Sequence, residues 1–177
     1  MMLQRRSSRG FTLIEIIIVI VLIGTMMGGM STMFMSNISK SHHPFLRQRA
    51  LAVAVAFLDE IQYKRWNENS PIGGGCVDTT SSCGGGPAMA AIGVDGGETR
   101  LEYDDIDDFN VINNQSPPQD SSGNNMPGYD GYSVTVTVSQ PGADWNGVPA
   151  ADVRLINVSV TSSSNETISL TAYRINF

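Results

Sequence analysis

The stretch RGFTLIEIIIVI, Arg9 to Ile20, decides how the rest of the chain is read. It is apolar almost throughout, yet it carries Glu15 four residues after Phe11. A charged group on a helix at membrane depth costs roughly 2.5–3.5 kcal/mol on insertion scales, so this carboxylate calls for a use. The apolar character continues to Met35. Residues 11–35 therefore predict a helix of about 25 residues, near 37 Å at roughly 1.5 Å each, against a hydrocarbon core of about 30 Å. Arg5, Arg6 and Arg9 precede it, and basic residues mark the cytoplasmic end of a membrane helix. The remainder of the chain is then expected outside the cytoplasm. A secretory signal has an apolar region of only about 7–15 residues, closed by a small-residue cleavage site. This run is longer and no Ala-x-Ala follows it, so the segment reads as an anchor.

The totals exclude several classes. The 177 residues carry a formal net charge of −6, and losing the three N-terminal arginines would leave the rest more acidic still. Anionic headgroups would repel such a domain, so attachment to membrane lipid falls to the apolar segment. No nucleic-acid partner is expected, because phosphate neutralisation needs clustered Lys and Arg. The chain has no Gly-Lys-Ser/Thr phosphate loop, no Gly-x-Ser-x-Gly and no helical His-Glu zinc motif. The sequence predicts no enzyme and no cofactor.

Gly10, Phe11, Thr12, Leu13, Ile14 and Glu15, set behind a basic leader, resemble the N-terminus of type IV prepilins and of type II secretion pseudopilins. The resemblance implies a leader of residues 1–10, cut by prepilin peptidase between Gly10 and Phe11. It implies N-methylation of the new terminal Phe11. It also gives Glu15 a partner: in a helical filament the carboxylate would pair with the Phe11 amine of a neighbouring subunit. The reading without that partner has Glu15 snorkelling or protonated near the interface. Many pilins carry a kinking proline inside the apolar half; here Gly28-Gly29 stands in that region.

Residues 36–66 predict an amphipathic helix. Leu46, Ala50, Val53, Phe57 and Ile61 recur at spacings of three and four, an apolar stripe meant for a domain surface. Pro44 is expected to kink or restart it. Residues 67–131 read as a long irregular loop, dense in Gly, Ser, Asn, Asp and Pro. Within it, a short element over Met89–Val94 and a short strand at TRLEY, Thr99 to Tyr103, are expected. Residues 132–177 predict three antiparallel strands: YSVTVTVSQ, then DVRLINVSVTS and TISLTAYRINF joined by the turn SSNE. Val134, Val136 and Val138 share one face, which the amphipathic helix would cover. The fold expected is α+β, with residues 36–177 as one domain, and this is also the fold the pilin resemblance implies.

Three further features bear on chemistry. Cys76 and Cys83 are the only cysteines and would lie in an oxidising compartment, so a disulfide closing a small Gly-rich loop is expected. Their spacing does not suit a metal. YDDIDDFN crowds Asp104, Asp105, Asp107 and Asp108 together, a candidate for calcium on oxygen ligands, although acidic runs are more often solvated and no metal is assigned. The adjacent His42 and His43 point about 100° apart on a helix and read as exposed residues.

The Asp-rich run, followed by the Tyr-x-Val-x-Val-x-Val strand from Tyr132, is similar to minor pilins of mannose-sensitive haemagglutinin pili. The function this resemblance implies is that of a minor pilin, with other pilin subunits, prepilin peptidase and the inner-membrane assembly machinery as partners. A minor pseudopilin of type II secretion is the nearest alternative. An adhesive module and a tethered protein that never polymerises are the readings from other classes.

Overall fold

The computed structural model describes residues 10–72, 75–79 and 83–177, with the side chains of 36–43 excepted. The leader up to Arg9 and the side chains of His42 and His43 lie outside the described residues. The elements are one helix, α1 (Leu13–Gln62), and three strands, β1 (Ser133–Ser139), β2 (Val153–Thr161) and β3 (Thr167–Ile175). Short 3-10 turns occupy Asp108–Val111 and Ala150–Asp152. The architecture is α+β and pilin-like, a long N-terminal apolar helix followed by a C-terminal antiparallel sheet.

The chain divides into two units at His42/His43. In the first, Leu13–Met35 has a mean hydropathy of 2.4 and is exposed on every face. Its hydroxyl side chains are satisfied within the helix. Thr25 donates to the Leu22 carbonyl, Ser31 to Met27 and Thr32 to Gly29, at 2.8–2.9 Å. These hydroxyls therefore present no unmet donor to an apolar surrounding.

The second unit holds the core. Ala50, Val53, Ala54, Phe57 and Ile61 of α1 are buried with Val134, Val136 and Val138 of β1 and Ile156, Val158 and Val160 of β2. The sheet has strand order β1-β2-β3, antiparallel throughout, with Val136 opposite Val158 and Val158 opposite Leu170. Its other face is a polar ladder in which Ser159 bonds Ser169, Thr161 bonds Thr167 and Asn157 bonds Thr171. Side chains alternate across a strand, so one face takes the valines and the other the hydroxyls. The β2–β3 turn closes with Asn165 in the left-handed region, φ 61°, and its amide on the Ser162 carbonyl.

Three expectations need correction. The helix does not restart at Pro44; α1 runs through it, because proline's fixed φ is close to helical and the loss falls on one backbone bond. TRLEY is a turn, not a strand. The Glu102 amide bonds the Thr99 carbonyl while Glu102 Oε2 accepts from the Thr99 amide and hydroxyl, which closes the chain on itself. Met89–Val94 forms no element, although Met89 and Val94 both pack against the core.

The segment after α1 is irregular but not loose. Trp66, Val77, Tyr103, Ile106, Phe109 and Ile112 are all buried in the same core. Cys76 and Cys83 are joined as a disulfide. Arg100 grips both carboxylate oxygens of Glu60 on α1, at 2.8 and 2.5 Å, and its guanidinium lies over Phe57, Tyr103 and Phe109. A bidentate pair of this kind fixes direction as well as charge. It clamps the turn onto the helix.

Candidate functional site

The residues that bear on processing and assembly open the first unit. The helix begins as the Glu15 and Ile16 amides reach the Thr12 carbonyl, at 3.1 and 3.3 Å. Glu15 lies in this first turn, where the helix dipole favours a negative charge. Phe11 is 79% exposed one turn earlier, and the two side chains border one shallow hollow with Ile16, Val19 and Ile20. The structure thus brings Phe11 and Glu15 to the same end and side of the apolar segment. Gly10 is exposed, with open space where a side chain would stand.

The acidic run falls elsewhere and is divided among several tasks. Beyond α1 the chain at Arg65 pairs with the run, the Arg65 amide bonding the Asp104 carbonyl and the Ile106 amide bonding the Arg65 carbonyl. Asp108 Oδ2 accepts the amides of Asp104 and Asp105, while Asp105 Oδ1 accepts those of Asp107 and Asp108. Asp107 is wholly buried. Its Oδ1 takes Arg154 Nε at 3.0 Å and its Oδ2 takes Asn67 Nδ2 at 3.0 Å. Asp104, the exposed member, pairs with Arg65. The four aspartates do not converge on one point.

Two smaller groupings of acids do come together. One carboxylate oxygen each from Glu68, Asp95 and Asp105 lie within 4.8 Å of one another, and so do oxygens of Glu68, Glu98 and Asp104. Sequence reasoning missed Glu68, Asp95 and Glu98 because they are scattered through irregular chain. Burial, and then the charges of Asp108 and Asp107, push the Asp105 carboxyl up to about 7. Burial is also the main cause raising Glu68, followed by the Asp104 carboxylate, and Glu98, followed by Asp108. Arg65 opposes this, held above its ordinary value chiefly by its hydrogen bond to Asp104.

A pH dependence follows. Asp105 binds its proton more tightly folded than unfolded, so its contribution to stability is full below about 4 and is lost as pH rises through about 7. Asp107, Asp108, Glu68 and Asp95 face it, with Arg65 and Arg154 as the nearby basic residues. Without divalent ions, the unfolding free energy should fall between pH 4 and 7 by up to a few kcal/mol, since each tenfold difference in proton affinity is worth about 1.4 kcal/mol. Asp105→Asn should flatten that slope. Equal slopes in wild type and variant would remove Asp105 as its source.

Residues 5–31 match the family model described as the prokaryotic N-terminal methylation motif. The match supports a chain of the prepilin and pseudopilin type, and the motif suggests a structural subunit. Such a motif implies processing by prepilin peptidase and assembly with other pilins, and the apolar helix fits the inner-membrane anchor of a prepilin. Neither the curated proteins nor the solved structures yield a match.

Proposed function

We propose that this chain is a minor pilin of a type IV pilus, similar in kind to the D-type minor pilin of the mannose-sensitive haemagglutinin pilus. It is made as a prepilin, cut between Gly10 and Phe11, methylated on Phe11, and drawn into the filament through α1. The observation that carries the reading is the placement of Phe11 and Glu15 one turn apart, at the start of a helical segment, Leu13–Met35, whose apolar faces all lie exposed. Such a helix needs lipid around it first and neighbouring helices afterwards. The pairing of Glu15 with a neighbour's Phe11 amine supplies the register between subunits. The Asp-rich run and the valine strand from Tyr132 support the narrower likeness. The domain beyond His42 then lies outside the cytoplasm and reaches the cell surface with the pilus, where it supports pilus biogenesis or attachment.

Filament fractionation tests this. The chain should be recovered in sheared pili, and its recovery should vanish when the pilus assembly ATPase is deleted. Recovery that instead depends on the type II secretion machinery would make it a minor pseudopilin and overturn the pilus reading.

A further inference from the structure

We propose that the cleft between the Thr99–Glu102 turn and the extended chain at Ile112–Gln115 binds a neutral saccharide unit. The cleft measures about 460 Å³, inside the range of about 300–1,000 Å³ that small-molecule sites occupy. Both of its walls are fixed by bonds already in place. Arg100 pins the turn to Glu60 of α1. On the other side Gln115 exchanges both backbone bonds with Val134 of β1, and the Val136 amide bonds the Ile112 carbonyl. Alternate residues of an extended chain share a face, and Asn113 and Gln115 border the cleft together.

The polar groups of these walls lack partners of both kinds. Tyr103 borders the cleft and is only 7% exposed, and its hydroxyl bonds no described residue. Burial pushes its ionisation up, so the hydroxyl keeps its proton. Gln115 Nε2 is spent on Gln119 Oε1 at 2.6 Å, which leaves Gln115 Oε1 buried with no donor among the described residues. Arg100, 8% exposed, gives its two terminal nitrogens to Glu60, and its Nε is buried with no acceptor among the described residues. Buried polar atoms left without partners are costly.

Unmet donors and acceptors side by side select the ligand. A hydroxyl donates and accepts at once, so a polyhydroxyl molecule serves both needs. Val111, 52% exposed, and Ile112 supply an apolar side for the C–H face of a sugar ring. The charged residues bordering the cleft are Glu98 and Arg100, one of each sign, so neither an anion nor a cation is favoured. Apolar contact on one side and a few fixed polar groups on the other is the usual make-up of a small-molecule site. The cleft lies wholly in the second unit and involves neither Phe11 nor Glu15. The filament reading therefore stands or falls separately.

The full-length chain is kept in micelles of a detergent without a sugar headgroup. D-glucose, D-galactose, D-mannose and N-acetyl-D-glucosamine are each titrated, with binding read by calorimetry and saturation-transfer NMR. At least one should bind with millimolar affinity, the scale open to so small a ligand, and more tightly than the charged D-glucuronate and D-glucosamine. Tyr103→Phe removes only the unmet hydroxyl. It should weaken binding about tenfold, the worth of one hydrogen bond, and leave the unfolding midpoint by circular dichroism unchanged. Asn113→Ala, at an exposed position, should weaken binding to a similar degree with the midpoint also unchanged. Tyr63→Phe, a tyrosine that does not border the cleft, should bind as wild type does. No binding of any of the four sugars, or undiminished affinity in both cleft variants, would overturn the proposal. So would a lowered midpoint in Tyr103→Phe, which would show the hydroxyl already partnered, or an equal loss of binding in Tyr63→Phe. Tighter binding of the charged sugars would contradict the neutral class, and preference for N-acetyl-triglycine amide over every sugar would make the cleft a peptide site instead.

Discussion

Glu15→Val is expected to leave the chain inserted and cleaved while reducing its recovery in filaments about a hundredfold or more. Insertion should survive, because the change removes a charge from the apolar segment and no described residue is bonded to the Glu15 side chain. Cleavage should survive because Gly10 and the basic leader are untouched. Incorporation should fail because each incoming subunit would bring a Phe11 amine with no carboxylate to meet it. Breaking a buried ion pair by removing one partner costs about 3–5 kcal/mol, mostly through the charge left uncompensated. At about 1.4 kcal/mol per tenfold, that is two to three orders of magnitude in an assembly equilibrium. The ratio of protein in sheared filaments to protein in the inner membrane, wild type beside variant, reads the effect. Equal ratios would mean that Glu15 serves another step, such as methylation of Phe11.

Arg154→Met should be the most damaging single change in the domain. Arg154 projects from the core face of β2, fully buried, with Nε on Asp107, Nη2 against the Met89 sulfur and its guanidinium 4.3 Å from the Trp66 ring centroid. Methionine fills much of the same volume, so the packing loss is modest. The severe loss falls on Asp107, left in the core with only Asn67 on its side chain. About 3–5 kcal/mol is expected, which in a domain of this size lowers the unfolding midpoint on the order of 10 °C or more. Asp107→Leu added to Arg154→Met should recover most of that, because a buried pair replaced by apolar groups is often near neutral. A single variant within about 1 kcal/mol of wild type, or a double variant no better than the single, would rule out the pair as a keystone of the core.

The helix and the sheet were legible because their side chains repeat. The three- and four-residue spacing from Leu46 to Ile61 and the alternation from Val134 to Val138 each state which face is buried. The ion pair of Arg154 was legible too, though unread. In DVRLINVSVTS, Arg154 is in phase with Ile156, Val158 and Val160, so the alternation that builds β2 also drives an arginine into the core and demands an acid there. What no periodicity encodes is the segment between α1 and β1. Its order comes from single long-range bonds, such as Arg100 to Glu60 and Asn176 to the Val77 amide and carbonyl. Glu68, Asp95 and Glu98 carry no local pattern and meet only once those bonds have folded the chain. At the N-terminus the opposite holds, since Phe11 and Glu15 sit one turn apart by sequence spacing alone.

In the proposed pilin reading, maturation and assembly both begin with the cut before Phe11, so the intact mass of the protein extracted from the inner membrane is decisive. That mass should be the mass of a chain that begins at Phe11, lacks residues 1–10 and carries one added methyl group on the Phe11 amine. A mature protein that retains Met1 to Gly10 would refute the pilin reading.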